Sequence, residues 1–139
     1  GFLLLSGEIG TGKTTICREL MSRLDNKTAV SVILNPRIST AGLLSAINRD
    51  FDNQLDCQDM DAQLTALHNF LLAKREDGNN AIVLIDEAQN LSVESLEMVR
   101  LLSNLETDTE KLIQIIVDLI ERDWAGEIIS LPKLVIKLL

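Results

Sequence analysis

The stretch GEIGTGKTT, residues 7–15, decides the fold of this 139-residue chain. It fits the pattern G-x-x-x-x-G-K-[ST], in which the glycines let the backbone turn tightly against a polyphosphate. The consecutive N–H groups of such a loop, together with the N-terminus of the helix that follows, bind phosphate oxygens. The nucleotide-binding residues predicted on this basis are Gly7, Glu8, Ile9, Gly10, Thr11, Gly12, Lys13, Thr14 and Thr15.

Two side chains of this loop carry further chemistry. Lys13 supplies a positive charge for the β- and γ-phosphates of ATP and is assigned a catalytic role, while Thr14 offers its hydroxyl to Mg²⁺. The surrounding pattern suits the motif, because the apolar run FLLLS precedes the loop and Ile16, Leu20 and Leu24 then recur at helical spacing. The sequence therefore predicts a strand, a phosphate loop and a helix in that order.

Strands and helices are predicted to alternate along the rest of the chain. Further strands are expected at residues 28–34, 81–85 and 112–117, with Ser39 and Ser92 capping two of the helices between them. The order β-α-β-α-α-β-α-β has crossovers long enough for parallel pairing. We therefore expect an α/β fold, a three-layer P-loop NTPase sandwich with a parallel sheet.

One domain is expected to contain the whole chain. Residues 1–117 are predicted to form the P-loop ATPase core. Residues 118–139 are predicted to form a divergent C-terminal segment, with a helix and a final strand of the same domain.

The run AIVLIDEAQ places two acidic residues at the end of a buried strand. Ligands of a parallel sheet gather beyond the carboxyl ends of its strands, so Asp86 and Glu87 are expected beside the phosphate loop. Asp86 is assigned to Mg²⁺, held through the water shell of the ion. Glu87 is assigned a catalytic role, orienting or deprotonating the attacking water. The plainer alternative is a solvated acidic turn that leads into a helix.

The charge distribution bears on partners. The formal net charge is −8, and residues 58–139 carry most of the acidic groups. Because an acidic surface repels the phosphate backbone, nucleic acid is not expected as a partner. The sequence also contains no apolar run long enough to span a membrane and no signal-peptide pattern.

With both motifs placed, the chain resembles the AAA+ ATPases of the general secretion pathway A family. This group includes the pilus-biogenesis ATPases of mannose-sensitive haemagglutinin systems. The segments that carry the resemblance are SGEIGTGKTTICREL, LIDEAQNLS and RLLSNLETDTEKLIQI, and the last of these is the most specific.

The resemblance implies a cytoplasmic Mg²⁺-dependent ATPase domain whose parent protein is anchored in the inner membrane. It implies a membrane protein partner in the assembly of a secretin or pilus secretion machine, and a homo-oligomer of the full-length protein. By matching position, residues 7–15 are the nucleotide loop, and Asp86 and Glu87 are the pair that serves Mg²⁺ and water.

The chain also departs from this family. It reads DLIERDWAGEII where the family carries a stretch like Gly-Gln-Pro-Glu-Leu, and the helical lid and arginine finger have no counterpart. These departures leave open a nucleotide-binding module without efficient turnover. An ATPase of the DNA-transposition AAA+ type is the other alternative, which the acidic second half opposes.

Overall fold

The computed structural model describes residues 1–7, 19, 21–34, 36–53, 55–57 and 59–120. Its strands are β1 (Phe2–Gly7), β2 (Ala29–Ile33), β3 (Ala81–Ile85) and β4 (Gln114–Ile120). Its helices are α1 (Thr40–Asp50), α2 (Met60–Glu76) and α3 (Val93–Ser103), and a short 3₁₀ turn spans Ala88–Asn90.

The four strands form one sheet in the order β1-β4-β3-β2, and every neighbouring pair is parallel. This confirms the predicted parallel α/β sheet. From β1 the chain crosses to the far edge at β2, and β4 then returns to pair between β3 and β1. The central strand β3 is apolar throughout, as expected of a strand inside a parallel sheet.

One face of the sheet packs against α1, α2 and α3. Alternate strand residues, among them Val83, Ile85 and Ile115, meet Leu43 and Leu67 of the helices, and all five side chains are buried. Each fully buried side chain of this size contributes about 1.5–3 kcal/mol relative to an exposed one. The helices are therefore held to the sheet mainly by apolar burial.

Two helices begin at the residues that the sequence predicts. The Ser39 hydroxyl accepts a hydrogen bond from the Gly42 N–H at 3.0 Å, and the Ser92 hydroxyl accepts one from the Ser95 N–H at 3.1 Å. Each serine satisfies a backbone donor that the first helical turn leaves without a partner. Both predicted caps are confirmed.

Helix α2 ends at Glu76, and a glycine follows shortly after it. Gly78 follows the last turn with φ of +75°, a conformation that a residue with a side chain adopts only with strain. The chain then turns directly into β3, whose bounds, Ala81–Ile85, are those predicted.

Strand β4 differs from the prediction of residues 112–117. Leu112 and Ile113 are buried but precede the ladder, because the Leu112 N–H donates to Leu105 O in the preceding turn. At its other end β4 pairs with β1 until Gly7 meets Ile120. The strand therefore crosses the predicted boundary at residue 117, and the division of the domain there stays a prediction. The helix and final strand expected beyond it lie outside the described residues.

An ion pair lies in the turn before β4. Lys111 Nζ lies 2.8 Å from Glu106 Oε2, and the two residues form an antiparallel bridge. The hydrogen bond from Lys111 holds the pKa of Glu106 below its ordinary value. Both side chains are substantially exposed, so the pair contributes little to stability.

The helix predicted after the phosphate loop falls mainly on residues outside the described ones, although Glu19, Met21 and Ser22 are helical. Within the described part of the chain, no helix combines the length and apolar character needed to cross a membrane.

Candidate nucleotide-binding site

The carboxyl edge of the sheet gathers the ends of β1, β3 and β4. Val117 of β4 is level with Leu4 of β1 on one side and with Ile85 of β3 on the other. Because β4 is the single strand between them, β1 and β3 lie two strand spacings apart, about 10 Å. Gly7 and Asp86, which leave these strands, therefore emerge at the same edge.

Of the predicted phosphate loop, the structure describes only Gly7. Gly7 is the last residue of β1 and pairs with Ile120. The other predicted members of the loop, including Lys13 and Thr14, lie outside the described residues, and their roles stay predictions.

Asp86 is the first residue after β3. Its N–H donates to Ile33 O at 2.8 Å, which extends the β2–β3 ladder by one step. Its Oδ1 accepts a hydrogen bond from the Glu87 N–H at 3.0 Å, and the residue is half-buried. The carboxylate is thus fixed at the sheet edge from two directions, by the backbone that carries it and by the following amide.

Glu87 has a left-handed backbone, with φ of 53° and ψ of 47°. A residue with a side chain holds this conformation at a cost of about 1–3 kcal/mol, and only where the surroundings impose it. The 3₁₀ turn supplies part of that constraint, because the Asn90 N–H donates to Glu87 O at 2.9 Å. Glu87 itself is half-buried, so its carboxylate is within reach of solvent at this edge.

Two residues beside Glu87 were not anticipated from the sequence. Asn90 Nδ2 lies 3.5 Å from Glu87 Oε2, and Arg37 Nη2 donates to Asn90 Oδ1 at 2.9 Å. The one local signal for Asn90 is its spacing of three residues from Glu87, which a 3₁₀ turn brings together. Nothing in the sequence marks Arg37, which comes from the loop between β2 and α1.

Asp118 is a third acidic residue near this edge, and it was not predicted from the sequence. Asp118 lies one position beyond Val117 on β4, and it is 4% exposed. The signal available in the sequence is a single carboxylate inside the apolar run LIQIIVDLI. The edge of the sheet therefore carries acidic residues on both β4 and the β3 terminus. Even so, no group of three His, Cys, Asp or Glu side chains suited to a metal ion occurs in the part of the chain that the structure describes.

Comparison with known families decides the kind of domain to which this edge belongs. The family model described as AAA domain matches residues 1–118. The chain belongs to the AAA domain family. AAA domains are nucleotide-binding modules of the ATPase type.

A curated relative narrows the resemblance. This AAA domain is 46% identical over 121 residues to "General secretion pathway protein A" of Aeromonas hydrophila. The match covers 84% of this chain and 22% of the relative, so the chain spans about a fifth of the relative's length. The resemblance to the general secretion pathway A type is thereby confirmed.

Solved structures confirm the fold. The AAA domain is similar to Cdc6p from Pyrobaculum aerophilum, with a TM-score of 0.58 and 19% identity over 96% of this chain and 36% of that one. It is also similar to the Aeropyrum pernix ORC2 protein, solved as ADPNP–ADP complexes, with a TM-score of 0.63 and 15% identity over 96% and 39% of the two chains. The α/β P-loop NTPase fold predicted from the sequence is correct.

Proposed function

We propose that this AAA domain binds ATP with Mg²⁺ and hydrolyses it, and that hydrolysis energises assembly of a bacterial secretin or pilus secretion machine. The observation that carries the proposal is that Gly7, the first residue of the predicted phosphate loop, leaves the sheet at the same edge as Asp86 and Glu87. Enzymes that transfer a phosphoryl group to water use a phosphate-binding loop with carboxylates beside it.

Each group in this site has its own task. Lys13 and the backbone of the loop bind the phosphates, and Glu87 accepts the proton of the attacking water. When bound, Mg²⁺ neutralises charge on the β- and γ-phosphate oxygens. Thr14 and Asp86 are the residues that would hold it. Asp86 suits a hydrated Mg²⁺, because its carboxylate is half-buried at the sheet edge and already oriented by the Glu87 N–H.

The cellular part of the proposal is supported by the relative's name. That name gives the general secretion pathway, and we propose with it a membrane protein partner, a domain on the cytoplasmic side and a parent protein held at the inner membrane. Since the chain spans 22% of that relative, anchoring, partners and homo-oligomer formation are proposed for a protein of the relative's length.

Two substitutions separate binding from turnover. Lys13→Ala removes the charge that faces the phosphates, so we expect ATP to bind more than about 100-fold more weakly. Glu87→Gln keeps the shape of the side chain but removes the base, so we expect ATP affinity to be unchanged and turnover to fall by about 100-fold or more. Calorimetry with Mg²⁺-ATP measures the first effect, and phosphate release measures the second.

Matched controls come from exposed residues of the same types. Lys27→Ala and Glu94→Gln should leave both affinity and turnover as in the wild type, because both side chains are exposed and lie outside the proposed site. Undiminished ATP binding by Lys13→Ala would contradict the phosphate-loop assignment. Wild-type protein that binds ATP but releases no phosphate would establish the alternative of a nucleotide-binding module without turnover.

A further inference from the structure

The side chain of Asn90 lies between two charged groups of opposite sign. Its Oδ1 accepts a hydrogen bond from Arg37 Nη2 at 2.9 Å, and its Nδ2 lies 3.5 Å from Glu87 Oε2. Arg37 is exposed, whereas Asn90 and Glu87 are half-buried. The three side chains therefore form a chain of contacts that runs from the surface to the carboxylate at the sheet edge.

The partners fix the orientation of the Asn90 amide. A guanidinium only donates hydrogen bonds and an ionised carboxylate only accepts them. Rotating the amide by half a turn would set its NH₂ against Arg37 and its oxygen against Glu87, so both contacts would become repulsive. The amide can therefore serve both neighbours in one orientation only.

The backbone of the same turn holds Asn90 in place. Its N–H donates to Glu87 O at 2.9 Å, so the two residues are joined through main chain and side chain alike. Glu87 is also the residue with the left-handed backbone, which sets the direction in which its side chain leaves the chain. A carboxylate on such a turn is unconstrained at its far end unless a neighbour holds it.

We propose that Asn90 is a positioning residue for Glu87, and that Arg37 orients Asn90. The amide engages Oε2 of Glu87, which leaves the other oxygen to accept the proton of the attacking water. Because the amide is neutral, it directs the carboxylate without forming an ion pair with it, so Glu87 remains a base. Arg37 supplies the charge that locks the amide while it stays one residue removed from Glu87. This inference rests on the proposed hydrolysis of ATP.

The test uses two substitutions at position 90, one that removes the contact with Arg37 and one that keeps it. Asn90→Ala removes both contacts. Asn90→Asp keeps the size and the acceptor for Arg37 but replaces the donor to Glu87 with a repelling oxygen. Loss of a hydrogen bond to a charged group corresponds to about a tenfold effect on rate. We expect both variants to lower kcat about tenfold or more, with KM and the Kd for ATP unchanged.

A matched control exists at the opposite edge of the sheet. Asn80 Oδ1 accepts a hydrogen bond from Arg75 Nη1 at 3.3 Å, which is the same kind of pair placed before β3 instead of after it. Asn80→Ala should leave kcat at the wild-type value. In the Glu87→Gln background, Asn90→Ala should lower kcat no further, because its effect passes through Glu87.

The outcomes separate the inference from the function on which it rests. Wild-type kcat in Asn90→Asp, together with a loss in Asn90→Ala, would mean that Asn90 only anchors Arg37, and the inference would be overturned. A further fall of kcat in the Glu87→Gln background would overturn it as well. Absence of turnover in the wild type would overturn the proposed hydrolysis, and with it any role of Asn90 in turnover.

Discussion

The position of Glu87 could be predicted from the sequence, but its backbone conformation could not. Its position after an apolar strand predicts a carboxylate at the sheet edge, and the structure places it there. Its left-handed backbone could not be foreseen, because glutamate rarely adopts that conformation unaided. The conformation is maintained by bonds on both sides, from Asp86 N–H to Ile33 O and from Asn90 N–H to Glu87 O.

A second prediction at the scale of single residues concerns Asp86 and the dependence of ATP affinity on Mg²⁺. If Asp86 holds the water shell of Mg²⁺, Asp86→Asn should weaken the Mg²⁺-dependent part of ATP binding by about tenfold. Removing Mg²⁺ with a chelator should lower the affinity of the wild type by at least the same factor. Calorimetry with and without Mg²⁺ measures both.

The metal-free titrations serve as the control for Asp86→Asn. Without Mg²⁺ the wild type and the variant should bind ATP alike, since Lys13 and the loop backbone are unchanged. A variant that keeps the full Mg²⁺ effect would show that Asp86 is part of the solvated acidic turn considered as the plainer alternative.

At the scale of elements, the helices were predicted well where their signals are local. A serine cap needs only the backbone N–H three residues later, so Ser39 and Ser92 could be identified from the sequence. Asp59 caps α2 in the same way, with Ala62 N–H as donor.

A buried polar network joins α1 to α2. Asn48 Nδ2 donates to both O and Oε1 of Gln63, and Asn53 Nδ2 donates to Asn48 Oδ1. Asn48 and Gln63 are each 1% exposed, so these bonds are made away from water. Periodicity alone would place apolar residues at such positions, which is why the sequence did not indicate the network.

Removing the Asn48 side chain from this network should lower the stability of the protein. Asn48→Ala leaves the buried Gln63 Oε1 without its partner and removes one of the two hydrogen bonds of Asn53 Nδ2, which also donates to Ala66 O. This change costs about 1–3 kcal/mol in the free energy of unfolding. Urea unfolding followed by circular dichroism measures the loss. Asn69→Ala is the control, because Asn69 is exposed on α2 and alanine favours a helix. Equal midpoints for the two variants would show that the network contributes nothing to stability.

At the scale of the whole molecule, charge separates the competing functions. The net charge of −8 and the sequence pI of about 4.6 oppose binding to nucleic acid. We expect the protein to pass through a heparin column at low salt and to be retained on an anion exchanger under the same conditions. Retention on heparin would instead favour the alternative of a DNA-transposition AAA+ ATPase.

The order of the strands is also a property of the whole molecule. The sequence predicts four parallel strands but not that β4 inserts between β1 and β3. That insertion makes Leu4, Val117 and Ile85 level, and the parallel direction of the three strands brings Gly7 and Asp86 to one edge. It also extends β4 to Ile120, since β1 offers partners up to Gly7.

The sequence by itself determined the succession of elements, two helix caps, the phosphate-loop motif and the acidic pair after β3. Each of these depends on residues a few positions apart, where spacing and side-chain type suffice. Only the tertiary structure decided the strand order, the buried network of Asn48 and the contact between Arg37 and Asn90. Arg37 and Asn90 are separated by 53 positions. Packing brings such residues together, and no local pattern records which distant side chain will lie opposite.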